Sequence, residues 1–393
     1  MFRMGKEEID AVARVINSKQ LFRINDYARE VDHFEEELSA KMGVEYSLCL
    51  TSGTAALISA LAGLGIGPGD EVIIPGYTFM ATATAVLAMG AIPVIIEVDD
   101  SLTIDPIEIE KHITQYTKAI IPVHLIGFPC NMDKIMEIAK KYNLKVLEDA
   151  CQADGGSYKG KRLGTIGDAG AFSFNFYKII SAGEGGAVVT NNRTIYQRAL
   201  VYHDGGSAFR PFAKGLEFPI FLGQQYRSNE ITGAILREQL KKLDDILTDL
   251  RKVKNIFINK LTGVENVTFV RSNDSEGDCG TTLGFAFDSQ EEARKFATYK
   301  SGDQGVDGWL PIDSDKHIYC NWEPILNKRF GHHPTTNPFN MPENKGRLMD
   351  YSKNMCPTTL KLLSQTVFIS MNPDWSEAEI DTRIQCCKEA LKK

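Results

Sequence analysis

Phe172-Ser173-Phe174-Asn175-Phe176-Tyr177-Lys178-Ile179-Ile180-Ser181-Ala182-Gly183-Glu184-Gly185-Gly186 is the stretch on which the reading of this chain turns. It opens apolar and aromatic, as a buried strand does, carries one lysine, and runs into a glycine cluster. The strand-like Ala187-Val188-Val189-Thr190 follows. An ammonium lodged between apolar runs is poorly solvated, which favours the neutral amine. A neutral lysine amine attacks carbonyl carbons to form Schiff bases. Glycines let a backbone approach a ligand closely. Taken alone, the stretch reads more simply as a lysine reaching water from a strand end beside an ordinary turn. Two other stretches change that reading.

The first is Tyr46 to Leu50, a short strand, followed by Thr51-Ser52-Gly53-Thr54 and the strong helix former Ala55-Ala56-Leu57-Ile58-Ser59-Ala60-Leu61. Strand, then glycine with hydroxyls, then helix N-terminus is a recipe for holding a phosphate. Free amides and the helix dipole face the anion. Ordinary N-capping by Ser52 explains the same residues. The second is Lys145-Val146-Leu147, leading to Glu148-Asp149-Ala150-Cys151-Gln152-Ala153. Two carboxylates at the end of an apolar strand are expensive without partners. A protonated heterocyclic nitrogen would be one; a salt bridge or helix cap would be another.

Strands at Glu71–Pro75, Ile92–Val98 and Ala119–Pro122 alternate with helical segments such as residues 81–89. That pattern predicts an α/β fold with a mostly parallel sheet. Ligands then sit at the carboxyl ends of the strands, where every motif above falls. Gly155-Gly156 with Tyr158 to Gly164 predicts a hairpin turn.

The chain has 393 residues, 43% hydrophobic and 24% charged, which predicts two domains in one globular unit. A net charge of -7 with no long basic run argues against nucleic acid or anionic membrane as partner. No apolar run is long enough to span a bilayer, and the start lacks a signal-peptide apolar region. The eight cysteines form no Cys-x-x-Cys pair, and the seven histidines show no metal spacing. The expectation is reduced thiols, no metal and a cytoplasmic location.

Residues 6–18 predict a helix with Ile9, Val12, Val15 and Ile16 on its inner side, and residues 29–42 a second with Val31, Phe34, Leu38 and Met42 inward. The irregular Leu21 to Tyr27 between them lines a pocket or merely connects. Gln224 to Glu230 precedes a long helix from about residue 231 to 250, where the domain change is placed: 1–250 as the large domain and 251–393 as a smaller α+β one. In the latter, Val267–Val270 and Gly284–Phe287 predict strands, and residues 291–298 and 377–391 helices. Residues 311–355 are loop-rich, which in a compact domain signals function or disorder.

A phosphate cradle at 52–54, an aromatic at Phe79, a carboxylate at Asp149 and Lys178 now stand in one chain order. Pyridoxal 5'-phosphate needs an anion site, a ring to stack on, a carboxylate for its pyridine nitrogen and a lysine. Here the chain resembles the DegT/DnrJ/EryC1/StrS sugar aminotransferases, fold type I pyridoxal-phosphate enzymes. The matching motifs are Ser52 to Leu57, Gly69-Asp70-Glu71-Val72-Ile73, Tyr77-Thr78-Phe79, Glu148 to Ala153, Leu163 to Asp168, and Phe172 through Lys178 to Gly186. The resemblance implies a large domain with a mostly parallel seven-stranded sheet, and a homodimer with active sites built by two chains. It implies that Lys178 forms the Schiff base and shuttles the proton, and that Asp149 pairs with the pyridine nitrogen. Gln152 would sit near the cofactor's phenolic oxygen, Phe79 would stack on the ring, and Ser52, Gly53, Thr54 and Ser173 would hold the phosphate.

Some relatives carry histidine at the lysine position and act as dehydratases, so Lys178 implies transamination instead. There are departures. Gln225 stands where the family has an asparagine that reaches the partner subunit's phosphate, and His203-Asp204-Gly205 replaces a His-Gly. The C-terminal third departs from nucleotide-sugar members. It resembles the 8-amino-3,8-dideoxy-manno-octulosonate transaminases, which aminate an oxidised Kdo, through Phe22-Arg23, Glu276-Gly277-Asp278, Gly305 to Gly308, and His317 with Asn321-Trp322. The expected reaction moves an amino group from glutamate onto a keto- or aldehydo-sugar. A nucleotide-linked ketosugar aminotransferase and a pyridoxamine-dependent sugar dehydratase are the alternatives. Arg23, His317, Tyr319 and Trp322 are the candidate sugar-binding residues.

Overall fold

The computed structural model describes residues 2–24, 29–216 and 218–392. Asn25, Asp26 and Tyr27 of the irregular segment lie outside them. Seven strands form the main sheet: β1 (Tyr46–Leu50), β2 (Glu71–Pro75), β3 (Ile92–Ile96), β4 (Thr117–Ile120), β5 (Lys145–Asp149), β6 (Ala169–Ser173) and β7 (Gly186–Thr190). They are short and largely apolar, as strands buried on both faces tend to be. The sheet order is β1-β7-β6-β5-β4-β2-β3. Only β7 runs against its neighbours; it is antiparallel to both β1 and β6. The carboxyl ends of the other six strands therefore share one edge.

Helices cover both faces. Gly53–Leu64, Ala81–Ala88 and Arg193–His203 pack on one side around Leu57, Leu61, Val86 and Ala199. Glu30–Met42, Met132–Tyr142 and Glu230–Leu261 pack on the other around Phe34, Ile135, Leu240 and Leu243. Side-chain caps start these helices where the sequence provides an acceptor. Ser52 takes the Ala55 amide, Asn131 the Lys134 amide and Asn229 the Thr232 amide.

The expected change of domain near residue 250 falls inside the helix Glu230–Leu261, which runs on because Val253, Phe257 and Leu261 still face the core. Beyond it, β8 (Thr282–Ala286) and β9 (Thr366–Ser370) pair antiparallel, with helices Gln290–Ala297 and Glu377–Ala390 beside them. Leu283, Phe285 and Val367 join the same core as Phe34 and Leu240. The strand expected at Val267–Val270 is irregular, with a single bridge between Phe269 and Phe285. The helix Lys6–Ser18 forms at the expected residues, but it buries Glu8, Ala11 and Val15 and leaves Ile9 and Ile16 exposed. All eight cysteines are free thiols, and no helix among the described residues is long and apolar enough to cross a membrane.

One buried polar cluster braces β5. The Glu148 carboxylate accepts the amides of Gly164 (2.9 Å), Ile166 (2.6 Å) and Gly167 (2.7 Å). Its fourth contact is His124 Nε2 at 3.0 Å. The Cys130 amide donates to His124 Nδ1, so the ring's proton sits on Nε2 and points at Glu148. The acidic residue next to Asp149 is therefore a structural clamp.

Candidate active site

A cavity of about 710 Å³ opens at the carboxyl ends of β1, β5 and β6. The helix Gly53–Leu64 aims its N-terminus into it. Ser52 Oγ is used as the helix cap (3.1 Å to the Ala55 amide), while the first-turn amides of Gly53 and Thr54 have no partner inside the helix. Gly53 is required by crowding. A Cβ there would stand 2.7 Å from Ser173 Cβ and 2.9 Å from Cys151 Sγ. Gly186 is required too, since a Cβ would stand 2.3 Å from the Ser52 carbonyl oxygen. These contacts hold β1, β6 and β7 together around a concave cradle that only glycine leaves open.

Asp149 ends β5 and is 5% exposed. Thr82 Oγ1 donates to its Oδ2 at 2.8 Å, and the Cys151 amide to its Oδ1 at 3.1 Å. Thr78 Oγ1 lies 2.8 Å from Thr82 Oγ1 and completes a short hydroxyl chain. Because the single proton of Thr82 is given to Asp149, Thr78 is the donor to Thr82.

Lys178 does not lie in a strand. β6 stops at Ser173, and the chain turns through residues 174–185 before β7, with Phe174 N bonded to the Gly185 carbonyl and Phe176 N to that of Gly183. Lys178 sits at the tip of this connection. It is half-buried rather than buried, lines the cavity and makes no ion pair among the described residues. Its ammonium faces the buried Asp154, and so does the Ile179 amide. Among the described residues, no group stands within good hydrogen-bond geometry of either Asp154 oxygen. Burial pushes this carboxyl well above the usual carboxylate range, outweighing the pull of Lys178. Burial, followed by Asp149, pushes the Cys151 thiol up as well.

A model of the DegT/DnrJ/EryC1/StrS aminotransferase family matches residues 3–299. The chain belongs to that family. GDP-perosamine synthase of Escherichia coli O157:H7 is 38% identical over 265 residues, covering 67% of this chain and 70% of that protein. The dTDP-3-amino-3,6-dideoxy-alpha-D-galactopyranose transaminase of Aneurinibacillus thermoaerophilus is 42% identical over 245 residues, and the matched stretch spans 62% of this chain and 65% of that one. The structure of S. venezuelae DesV in complex with a ketimine intermediate superposes with a TM-score of 0.77 at 27% identity, covering 98% of this chain and 95% of that chain. The cofactor of the family is pyridoxal 5'-phosphate. The cavity fits it: the cradle at Gly53 suits the phosphate, Asp149 is a fixed carboxylate, and Lys178, without an ion pair among the described residues, stands on the same wall.

The structure brings Ser52, Gly53, Thr54, Phe79, Asp149, Gln152, Ser173, Lys178 and His317 to this one cavity. The expectation for Arg23, Tyr319 and Trp322 is corrected, because all three are buried and bonded elsewhere. Arg23 pairs with Glu35 at 2.6 Å and donates to the Cys49 carbonyl. The Tyr319 hydroxyl donates to the Lys353 carbonyl and accepts the Cys356 amide. Trp322 Nε1 donates to the Lys316 carbonyl. Gln225 is exposed, its Oε1 accepting the Arg227 amide at 2.7 Å, and it does not line this cavity. Among the groups the sequence did not flag are Thr82, Asp154, Ile126 and Lys316. Lys316 lines the cavity beside His317; a cation next to a histidine in a loop-rich segment was the available signal.

Proposed function

We propose that this chain transfers an amino group from an α-amino acid, glutamate first, onto a keto- or aldehydo-sugar. The observation that carries this is the convergence of Lys178 and Asp149 on one cavity whose cradle is a helix N-terminus. Bound there, the cofactor supplies the electron sink that makes a proton next to nitrogen labile. The amides of Gly53 and Thr54, with the helix dipole, would hold its phosphate. Asp149, aimed by Thr82 and Cys151, would hold the pyridine nitrogen protonated. Phe79, which lines the cavity, would cover a face of the ring. Lys178 Nζ, on the cavity wall, would hold the cofactor and would serve as the base that takes the donor's α proton.

A homodimer with shared sites is part of this reading. Tyr177, which lines the cavity, is 79% exposed, and its neighbour Phe176 is 60% exposed. Apolar groups so open at a cavity mouth are suited to cover by a second copy. In such a pair Gln225 is the residue offered to the partner's phosphate.

The named relatives support a nucleotide-linked ketosugar as acceptor. The C-terminal third supports an 8-oxidised Kdo, giving 8-amino-3,8-dideoxy-manno-octulosonate for cell-surface polysaccharide. His317 from that third reaches the cavity. Asp278 is instead buried and paired with Lys254 at 2.8 Å. The test is to load the protein with cofactor and glutamate and offer both sugar classes, following 2-oxoglutarate and the aminated product. A new sugar amine names the acceptor. 2-Oxoglutarate without amine from either class would remove both acceptors, and loss of water without a new amine would mark a dehydratase.

A further inference from the structure

The segment that follows the family-matched residues folds back over the loop after β2. Tyr319 N bonds to the Gly76 carbonyl, Thr78 N to that of His317 and Met80 N to that of Lys316, the last two at 2.9 Å. This antiparallel docking fixes the backbone of His317 against the loop that carries Phe79. The two rings lie 5.4 Å apart, tilted by 55°.

On its other side His317 meets Gln152, Nε2 to Nε2, at 3.3 Å. Two like-named atoms in contact leave the proton's place open until the far end of the amide is considered. The Ile126 amide donates to Gln152 Oε1 at 3.2 Å. A backbone N–H can only donate, so that atom is the oxygen, and the NH2 faces His317. His317 Nε2 must then be the acceptor, and the ring's proton is on Nδ1. Ile126 itself is held in the left-handed region at φ 49°, strained for a β-branched residue, and its carbonyl accepts Thr281 Oγ1 at 2.6 Å. The donor that orients Gln152 is therefore braced by Thr281, the residue just before β8. Among the described residues, the charged groups acting on the imidazole are Lys178 and Lys316. Burial, aided by these cations, pushes it down to about 4, which keeps it neutral.

We propose that His317 is a positioning residue for Gln152. A neutral imidazole, protonated only on Nδ1, takes one amide N–H of Gln152 and so turns the other toward the oxygen of the bound ligand. This rests on the reading of the cavity as a pyridoxal-phosphate site, where that oxygen is the cofactor's phenolic one. Residue 317 lies beyond the family-matched stretch, so the lock is a contribution of this chain's C-terminal third.

The test begins on the ligand-free full chain labelled with 15N-histidine, His317 being assigned by its loss in His317→Gln. The correlation pattern of the Nδ1–H tautomer should hold from about pH 8 to about pH 5. In Gln152→Glu, whose carboxylate can only accept, the pattern should change to Nε2–H or imidazolium. An Nε2–H tautomer in the wild type, or a ring titrating near its ordinary pH, overturns the proposal. The second readout is the absorption maximum of the bound cofactor. His317→Ala should shift it and weaken cofactor retention about tenfold, the worth of one hydrogen bond to a charged oxygen. His317→Gln, which returns an acceptor, should restore both. An unshifted His317→Ala spectrum refutes the positioning role. Wild-type protein that takes no cofactor at all refutes the reading of the cavity instead, while the tautomer result stands apart from it.

Discussion

Thr82 Oγ1 and Asp149 Oδ2 stand 2.8 Å apart, and the hydroxyl is the donor. One helix residue thus aims the carboxylate on which the site's electrostatics depend. Thr82→Val keeps the shape and removes the donor. It should weaken stability by about 1 kcal/mol and lower kcat more than it raises KM, because Asp149 is freed to rotate. Asp149→Asn should retain the cofactor but lose most turnover, since an amide does not hold the ring nitrogen protonated. Steady-state kinetics beside a cofactor-retention assay checks both, and near-normal turnover in Asp149→Asn removes its assigned role.

Asp154 is buried, and burial holds its carboxyl above the usual range. An acid whose folded pKa is raised binds its proton more tightly than the unfolded chain does, so stability falls as pH rises above the unfolded value. Asp154→Asn cannot ionise. Its melting temperature should gain on the wild type progressively as pH rises above about 4. Melting curves across pH measure this, and a gap that does not change with pH contradicts it.

Glu148 satisfies three backbone amides and the His124 imidazole at once. Glu148→Ala leaves those donors buried without an acceptor. The expected loss is at least about 4 kcal/mol, at roughly 1–3 kcal/mol for each of the four orphaned groups. Denaturant titration reads it directly, and a loss below 1 kcal/mol would mean that water or other acceptors replace the carboxylate.

Acid should destabilise the fold through two histidines. Burial, with Arg23 close by, pushes His203 down to about 3, and burial with the cavity lysines pushes His317 down to about 4. Both take up protons near pH 6.5 once unfolded. The unfolded chain then binds more protons, and stability should fall as pH drops from about 6.5 toward 4. His203→Gln should flatten part of that slope. A slope unchanged in this variant would show that His203 is not a source of it.

The sheet was legible because most of its strands are short, largely apolar runs that end in or beside glycine, hydroxyl or carboxylate residues, as buried parallel strands do. That residues 52–54, 79, 149, 152, 173 and 178 gather at one cavity was legible because they lie at or shortly after those ends. Other features were hidden for physical reasons. The long helix looked finished at 250 because its charged face dominates the composition there, while Val253, Phe257 and Leu261 still recur at helical spacing. Tyr319 and Trp322 looked like cavity aromatics because a loop-rich segment has no periodicity to say which way a ring faces. Ile9 and Ile16 looked buried because an amphipathic pattern does not say whether its apolar side meets this chain's core or lies open on its surface. The role of Glu148 depends on amides from a loop 16 to 19 residues away, which spacing alone cannot reveal.

The most direct test of the account is the absorption spectrum of the purified protein, supplied with pyridoxal 5'-phosphate, before and after glutamate. The account predicts a visible band from lysine-bound cofactor that glutamate converts to the near-ultraviolet band of the aminated form, and no visible band in Lys178→Ala. A chain that shows no visible band with added cofactor, or the same band in Lys178→Ala, would contradict it.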